Sequence, residues 1–316
     1  MIHFALIGLG RMGSRWARII SENASLDAVV DSGIEGSPSL DDVLSDENID
    51  AVLIATPHKY HASITKQALQ SGKHVLCEKP GAIKSKEILN NIFLADEKGL
   101  TYMVGYNCRF HDGFIKARKL YEKGIIGNLL FIRARYGFGG RVGYEEEWRI
   151  NKEMGGGGHL HDQGVHMIDM ARSFLEEIKK VQGMRADMYW KAGTEDNGFV
   201  LLQSENGVIA SIHSSLTQWK RMHSFEIYGT EGYLEVQGLG MRYGEPERLV
   251  LGKRTKDPEK VRERVIKCNP VADDSLKLEL REFLSAIRED RVTNPSPLDA
   301  YETLKIVEEV YKTNKI

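Results

Sequence analysis

The first third of the chain alternates short runs of Val, Ile and Leu with longer amphipathic stretches. The predicted strands are Ile2–Ile7, Leu26–Asp31, Ala51–Ala55, Lys73–Glu78 and Thr101–Gly105. The helical stretches between them are Arg11–Glu22, Leu40–Leu44, His61–Ser71 and Lys86–Lys98. Strands that are apolar along their whole length and are separated by helices pair in parallel, because the helices cover both faces of the sheet. The pattern predicts an α/β unit built on a doubly wound parallel sheet.

After about Asn128 the pattern changes to strands with few helices between them. The predicted strands are Leu129–Tyr136, Lys180–Tyr189, Gly198–Gln203, Val208–Ser215, Ser224–Tyr228 and Tyr233–Val236, and the predicted helices are His161–Phe174, Ser275–Ile287 and Leu298–Tyr311. Short turns such as Glu205-Asn206-Gly207 indicate antiparallel pairing. We therefore predict two domains, residues 1–120 and an α+β domain of residues 121–316 with a large, open, mostly antiparallel sheet. The C-terminal helix is expected to pack back on the first domain.

The turn after the first strand reads Gly8-Leu9-Gly10-Arg11-Met12-Gly13, a G-x-G-x-x-G pattern. Gly8 permits a tight turn, Gly10 lets a pyrophosphate approach the backbone, and Gly13 lets the helix pack closely on the strand. The helix N-terminus then offers N–H groups to the phosphates. The alternative is a purely structural turn, but the strand before it and the helix after it favour dinucleotide binding.

Asp31 ends the second strand, at the spacing expected for a carboxylate that binds ribose hydroxyls. The alternative is a solvated surface acid. A carboxylate repels the 2′-phosphate of NADP, and no arginine occurs between Arg18 and Arg109 to offset that repulsion. The sequence therefore favours NAD as cofactor, with NADP as the alternative if Lys59 or Lys84 folds over the phosphate.

Polar residues follow three of the predicted parallel strands. Ligands of open α/β sheets lie beyond the carboxyl ends of the strands, so these residues are expected to line a cofactor site. They are Thr56, Pro57, His58, His61, Glu78, Lys79 and Asn107. Lys79 is followed by Pro80, which restricts its backbone to extended conformations. Its alternative role is that of an ordinary lysine whose stem covers apolar surface.

A second glycine run, Gly155–Gly158, leads into a predicted helix that carries Asp162 and His166. Residues four apart lie on one face of an α-helix, and a histidine beside a carboxylate can accept a proton. The alternatives are a helix capped by Asp162 and a core histidine. His159, His161 and His166 do not share a helical face, so no metal site is predicted.

Taken together, Gly8–Gly13, Asp31, Ala55–Pro57, Cys77–Pro80, Gly156–Asp169 and Phe225–Gly232 resemble the glucose-fructose oxidoreductase/inositol dehydrogenase/MocA family. The resemblance implies an NAD(P)-dependent oxidoreductase that acts on a secondary alcohol of a sugar, a sugar derivative (nucleotide-linked ones included) or a cyclitol. It also implies that His166 removes the hydroxyl proton, that Lys79 hydrogen-bonds the oxygen, and that Asp162 orients the substrate. A homo-oligomer, dimer or tetramer, through the C-terminal sheet is expected by the same resemblance.

Two polar-aromatic segments are candidates for contact with the substrate. We expect Arg109, Tyr144, Trp148, Arg149 and Trp219 to bind it, because aromatic faces and guanidinium groups suit sugar rings and anionic groups. The alternative is that these are surface charges and core aromatic residues. Two rival functions stay open: a glycoside hydrolase that uses NAD for transient oxidation, and a non-catalytic NAD-binding regulator. The presence of Lys79, Asp162 and His166 disfavours the regulator.

Charge and cysteine content narrow the partners and the compartment. The 43 Lys and Arg residues against 45 Asp and Glu residues give a net charge of −2, so neither nucleic acid nor an anionic membrane is expected as a partner. Cys77, Cys108 and Cys268 are too few and too scattered for a disulfide framework. The first residues lack the basic region of a signal peptide, and no apolar run approaches the roughly 20 residues of a membrane span. We therefore expect a cytoplasmic protein.

Overall fold

A computed structural model describes residues 1–240, 245–257, 259–268 and 273–313. Its contacts divide the chain into two compact units. The first unit comprises Met1–Asn107, Glu153–Gly156 and Leu276–Lys305, and the second comprises Cys108–Lys152, Gly157–Ser275 and Ile306–Ile316. These units are defined by their internal contacts and not by independent folding. The division into domains at residue 120 therefore stays a prediction.

The N-terminal part of the first unit alternates strands and helices as predicted. Its elements are β1 (His3–Ile7), α1 (Arg11–Asn23), β2 (Ser25–Val30), α2 (Leu40–Ser45), β3 (Ala51–Ile54), α3 (His58–Gln70), β4 (His74–Glu78), α4 (Ser85–Lys98) and β5 (Tyr102–Gly105). The strands pair in parallel in the order β2-β1-β3-β4-β5. Every residue of the central strand β3 is buried, which is why this strand is an uninterrupted apolar run in the sequence. This sheet confirms the predicted α/β architecture.

The second unit contains most of the remaining elements. They are α5 (Asp112–Glu122), β6 (Leu129–Gly137), α7 (Val165–Phe174), β7 (Ile178–Ala186), β8 (Asn197–Ser204), β9 (Ile209–Ser215), β10 (Met222–Gly229), β11 (Gly232–Gln237), β12 (Arg248–Arg254) and β13 (Val261–Lys267). Most of α6 (Lys152–Gly155) and of α8 (Ser275–Glu289), and the first half of α9 (Pro297–Thr313), belong to the first unit. The strands β6 to β13 form a sheet in the order β13-β12-β11-β10-β6-β9-β8-β7. Neighbours are antiparallel apart from β6 and β9, which run parallel. The predicted mostly antiparallel sheet is confirmed.

The two faces of this sheet differ in their surroundings. Residues such as Val200, Leu202 and Ile212 point to a buried face, and α5 and α7 pack against the sheet. The alternate residues of the same strands point to the other side, which we call the open face. It carries Phe131, Phe199, Leu201 and Ile209, all of them substantially exposed.

Several elements depart from the sequence prediction. The strands β12 and β13 and the helices α5 and α6 were not predicted. The prediction of one continuous α-helix over His161–Phe174 is wrong in its first turn, because Leu160–Gly164 is a π-helical turn and α7 begins only at Val165. Within the described residues, no helix combines the length and apolarity needed to cross a bilayer.

Candidate active site

The turn between β1 and α1 is shaped by its three glycines in different ways. Gly8 has a φ of 94°, in the left-handed region that favours glycine. A Cβ on Gly13 would lie 1.9 Å from the carbonyl oxygen of Gly8, so the helix and the turn pack without room for a side chain. A Cβ on Gly10 would meet nothing within 4 Å. Gly10 is also the N-cap of α1, where no side chain caps the helix.

This geometry fits a dinucleotide. The space over Gly10 and the first N–H groups of α1 suit a pyrophosphate, which a helix N-terminus attracts through its backbone donors and its dipole. Arg11 and Met12 lie in the first turn of α1 beside this space. The predicted cofactor-binding residues of the turn are therefore brought together at one place.

Asp31 directly follows β2 and is tied to the same turn. One carboxylate oxygen accepts a hydrogen bond from the N–H of Leu9 at 2.5 Å, and the other accepts one from the N–H of Gly33 at 2.8 Å. These two backbone donors hold the pKa of the Asp31 carboxyl below its ordinary value of 3.8. Asp31 is thus ionised at neutral pH, as binding to ribose hydroxyls requires.

The histidines after β3 are engaged with the backbone. His58 Nδ1 lies 2.9 Å from the carbonyl oxygen of Gly155, and His61 Nε2 lies 2.9 Å from the carbonyl oxygen of Thr56. Both side chains are buried, and Pro57 is the N-cap of α3. His58 therefore fixes the start of the second glycine run, and His61 fixes the turn at Thr56.

The ends of β4 and β5 carry the remaining predicted residues of the first unit. Glu78 Oε1 accepts a hydrogen bond from the indole N–H of Trp16 at 2.7 Å, which ties β4 to α1. Burial raises the pKa of the Glu78 carboxyl, and the Trp16 hydrogen bond opposes that rise. Lys79 follows on a half-buried position, joined to Pro80 by a cis peptide bond, and Asn107 opens a 3₁₀ turn after β5.

Asp162 and His166 lie in the second unit and are both buried. Asp162 is within the π-helical turn, where its N–H donates to the carbonyl oxygen of Gly158 at 3.0 Å and its Oδ2 accepts from the Gln163 amide at 2.9 Å. His166 is in the first turn of α7. The two residues therefore lie on a π-helical turn followed by an α-helix, and not on the single regular α-helix that the sequence predicts. Such turns occur frequently at functional sites.

Arg109 is held in an ion pair. Its Nε and Nη2 donate to the two carboxylate oxygens of Asp169 at 2.7 and 2.5 Å, and the Asp169 side chain is fully buried. A bidentate pair of this kind fixes both side chains. The structure therefore gives Arg109 a bracing contact to α7, which the sequence analysis did not foresee.

The other residues predicted to contact a substrate are in different environments. Tyr144 is 1% exposed and packs with Ile150 and Leu216, which assigns it to the core of the second unit. The Arg149 guanidinium lies 4.4 Å from the ring centroid of the half-buried Trp148. Trp219 is 64% exposed and has a φ of 56°, a backbone conformation that is uncommon for a bulky residue.

Sequence reasoning passed over Glu195, which lies in the polar segment before β8. Its carbonyl oxygen accepts from the N–H of His159 at 2.9 Å, and its carboxylate accepts from the N–H of Gly158 at 3.0 Å. No local pattern in the sequence distinguishes this residue from a solvated loop glutamate. Across residues 1–240, 245–257, 259–268 and 273–313, no group of three or more His, Cys, Asp or Glu residues is arranged to hold a metal ion.

Comparison with known proteins gives a class to this architecture. Residues 2–106 match the model of an oxidoreductase family with an NAD-binding Rossmann fold. With the open Gly10 and the Asp31 carboxylate, this match defines an oxidoreductase whose cofactor is NAD. Residues 114–235 match the GFO/IDH/MocA C-terminal domain. The chain belongs to the GFO/IDH/MocA family, and the predicted family, cofactor and enzyme class are confirmed.

Individual relatives differ in their named activities. The chain is 30% identical over 259 residues to 2,7-anhydro-N-acetylneuraminate hydratase of Escherichia coli (strain K12), a match that covers 75% of this chain and 68% of the relative. It is 30% identical over 252 residues to inositol 2-dehydrogenase of Rhizobium meliloti (strain 1021), covering 73% and 74% of the two chains. The solved structure of levoglucosan dehydrogenase in complex with NADH shares the fold, with a TM-score of 0.87, 23% identity and coverage of 99% and 98%.

Proposed function

We propose that the chain transfers a hydride between NAD and a secondary alcohol of a sugar, a sugar derivative or a cyclitol. The observation that carries the proposal is the turn at Gly10, which is open to a phosphate and is followed by an ionised Asp31. Relatives named inositol 2-dehydrogenase and levoglucosan dehydrogenase support this class of substrate. When bound, the nicotinamide ring supplies the hydride acceptor or donor.

The cofactor is held by the residues of the first unit. Gly8, Gly10 and Gly13 form the phosphate turn, and Asp31 accepts hydrogen bonds from the ribose hydroxyls. The strand-end residues, from Thr56 to Asn107, line the rest of the nucleotide site in this proposal. NAD is preferred over NADP because the Asp31 carboxylate repels a 2′-phosphate.

His166, Asp162 and Lys79 supply the acid–base chemistry. His166 accepts the hydroxyl proton at an imidazole nitrogen as the alcohol is oxidised. Lys79 donates a hydrogen bond to the same oxygen and stabilises its developing negative charge. Asp162 orients the substrate and stabilises the imidazolium that forms. Trp148, Arg149 and the exposed Trp219 are proposed to contact the sugar ring or an anionic group on it.

Replacing His166 tests the assignment of the base. We expect His166→Ala to lower kcat by about 10²–10⁴, the usual contribution of a general base, while the Kd for NAD stays unchanged. The rates are measured by absorbance of the reduced cofactor, with inositol and levoglucosan as probes. His3→Ala is the matched control, because the His3 side chain, at the start of β1, is exposed and pairs with Asp27. A loss of less than about tenfold in His166→Ala would remove His166 from this role.

A second candidate function is favoured by the relative named as a hydratase. Addition of water to a substrate involves no net oxidation, so NAD would be restored in every turnover. The two functions are separated by following substrate loss by NMR together with absorbance of the reduced cofactor. Product without accumulated NADH supports hydration or hydrolysis, and equal amounts of product and NADH support a dehydrogenase.

We also propose that the chain forms a homo-oligomer through the open face and works in the cytoplasm. The support for the oligomer is the row of exposed apolar side chains at Phe131, Phe199, Leu201 and Ile209, since monomers seldom expose large apolar patches. The support for the compartment is the absence of a predicted disulfide framework.

A further inference from the structure

The segment just before Asp162 is bound by a buried carboxylate, that of Glu195. Glu195 is 1% exposed, and its Oε1 accepts hydrogen bonds from the N–H groups of Gly158 at 3.0 Å and Leu160 at 3.2 Å. These two donors lie immediately before and at the start of the π-helical turn. Because a carboxylate oxygen accepts both, their relative position is fixed.

The backbone of Glu195 holds the same segment from a second point. Its carbonyl oxygen accepts from the N–H of His159 at 2.9 Å. A Cβ on Gly158 would lie 2.0 Å from this carbonyl oxygen, so the close approach requires glycine at position 158. Three consecutive N–H groups, those of residues 158, 159 and 160, therefore donate to Glu195, two of them to its carboxylate and one to its carbonyl oxygen.

The Glu195 carboxylate is itself held by Tyr311 and Arg185. The Tyr311 hydroxyl, near the end of α9, donates to Glu195 Oε1 at 2.5 Å, and Arg185 Nη1 lies 3.5 Å from Oε2. The Arg185 guanidinium lies 4.2 Å from the centroid of the Tyr311 ring. Burial raises the pKa of the Glu195 carboxyl, while the Tyr311 hydrogen bond and the Arg185 charge oppose that rise. The Tyr311 hydroxyl and the Arg185 guanidinium thus hold the buried Glu195 carboxylate in one orientation.

We infer that Glu195 is a positioning residue, which together with Tyr311 fixes the π-helical turn so that Asp162 and His166 keep their reactive orientation. Neither Glu195 nor Tyr311 is assigned a contact with substrate. The inference rests on the proposed function of His166. A misplacement of about 1 Å in a reacting group can cost about 10²-fold in rate, so a loss of this anchor is expected to lower kcat rather than NAD affinity.

Two substitutions at position 195 test the inference. Glu195→Gln keeps an acceptor oxygen for Gly158 and Leu160, whereas Glu195→Ala removes it. We expect Glu195→Ala to lower kcat by about 10- to 100-fold with KM and the Kd for NAD unchanged, and we expect Glu195→Gln to restore most of the rate. Glu205→Ala is the matched control, because Glu205 is an exposed glutamate at the other end of β8. A folded Glu195→Ala enzyme with the wild-type kcat would overturn the inference.

Tyr311→Phe covers the case in which Glu195→Ala does not fold. It removes one donor and keeps the ring, so the protein should fold, and we expect kcat to fall by at least about threefold. Tyr301→Phe, on the same helix, is its control. An unchanged kcat in Tyr311→Phe would count against the anchor.

A readout independent of turnover completes the test. The His166 ring signal in a ¹³C-histidine NMR spectrum, identified by its loss in His166→Ala, should shift in Glu195→Ala and return in Glu195→Gln. An identical His166 signal in the wild type, Glu195→Ala and Glu195→Gln would contradict the inference. If His166→Ala keeps its activity, the proposed function fails. If His166→Ala loses activity while folded Glu195→Ala keeps it, only the inference fails.

Discussion

Single residues in this chain acquire their properties from backbone donors. Asp31 is the clearest case, because the N–H groups of Leu9 and Gly33 stabilise its charged form and lower its pKa. Since the folded-state pKa lies below 3.8, the carboxylate stays charged as pH falls until that value is passed. A phosphate monoester takes its second charge near pH 6, so the preference for NAD over NADP is expected to be constant only between about pH 7.5 and pH 9, where both the carboxylate and the 2′-phosphate keep their full charge.

Asp31→Asn tests this electrostatic account of cofactor choice. The amide keeps an acceptor oxygen but loses the charge that repels the 2′-phosphate, so we expect the ratio of kcat/KM for NAD to that for NADP to fall by about tenfold or more. Asp27→Asn, on the same strand, removes a carboxylate away from the turn and should leave the ratio unchanged. If Asp31→Asn rejects NADP as strongly as the wild type, charge at this position does not set the preference.

The sequence predicted some residues of the candidate site and missed others. Gly8–Gly13 and Asp31 could be found because their spacing is local. Glu195 could not, since its partners come from residues 158–160 and 311, far away in the chain. Tyr144 is of a residue type that often contacts sugars, but here it is buried against Leu216. The sequence does not reveal this packing, because it joins residues far apart in the chain.

At the scale of elements, two glycines of the turn between β1 and α1 have different roles: Gly13 is required for packing, and Gly10 for the proposed binding of the phosphates. Gly13 lies where a side chain would meet the backbone of Gly8, whereas Gly10 faces open space. The same substitution at the two positions should therefore have different effects, although both glycines belong to one motif.

We expect Gly13→Ala to lower the free energy of unfolding by about 1–3 kcal/mol, as overpacking does. We expect Gly10→Ala to change it by less than about 1 kcal/mol but to weaken NAD binding by tenfold or more, because its methyl group would fill the proposed phosphate site. Urea unfolding and calorimetric titration with NAD measure the two effects. Full NAD affinity in Gly10→Ala would contradict the placement of the phosphate.

Element boundaries were predicted well where burial is uniform. The strands of the parallel sheet are found within one or two residues. β1, β3, β4 and β5 have a buried apolar centre, whereas β2, at the edge of the sheet, contains the exposed Asp27. β13 was missed because Arg262, Glu263 and Arg264 are exposed and interrupt any alternation. The π-helical turn was missed because its polar and apolar residues are compatible with a regular α-helix, and the extra residue in the turn is fixed by tertiary contacts such as those of Glu195.

At the scale of the whole molecule, the proposed homo-oligomer rests on the open face. Phe199 is 51% exposed and Leu201 is 48% exposed on β8. Phe199 is paired across the strands with Met184 and His213, and Leu201 with Gln182 and Ser211. Burial of such a face between two copies would remove this apolar surface from water.

A charged residue on this face should prevent assembly. We expect the wild type to have a mass above the 35.7 kDa of one chain, and Phe199→Glu with Leu201→Glu to shift it to the monomer, because a buried unpaired charge is costly. Size-exclusion chromatography with light scattering measures both masses. Phe93→Glu, at an exposed position of α4, is the control, and a monomeric wild type would refute the proposal.

The absence of a side-chain cap at Gly10 has a consequence for how this protein tolerates mutation. In the proposed cofactor site the first N–H groups of α1 are the donors to the phosphates, so substitutions at the neighbouring positions 11 and 12 leave these donors in place. Positions 8 and 13 are constrained by the backbone geometry, and position 10 by the proposed phosphate. A saturation library of these five positions should accordingly accept many amino acids at positions 11 and 12 and almost only glycine at positions 8, 10 and 13.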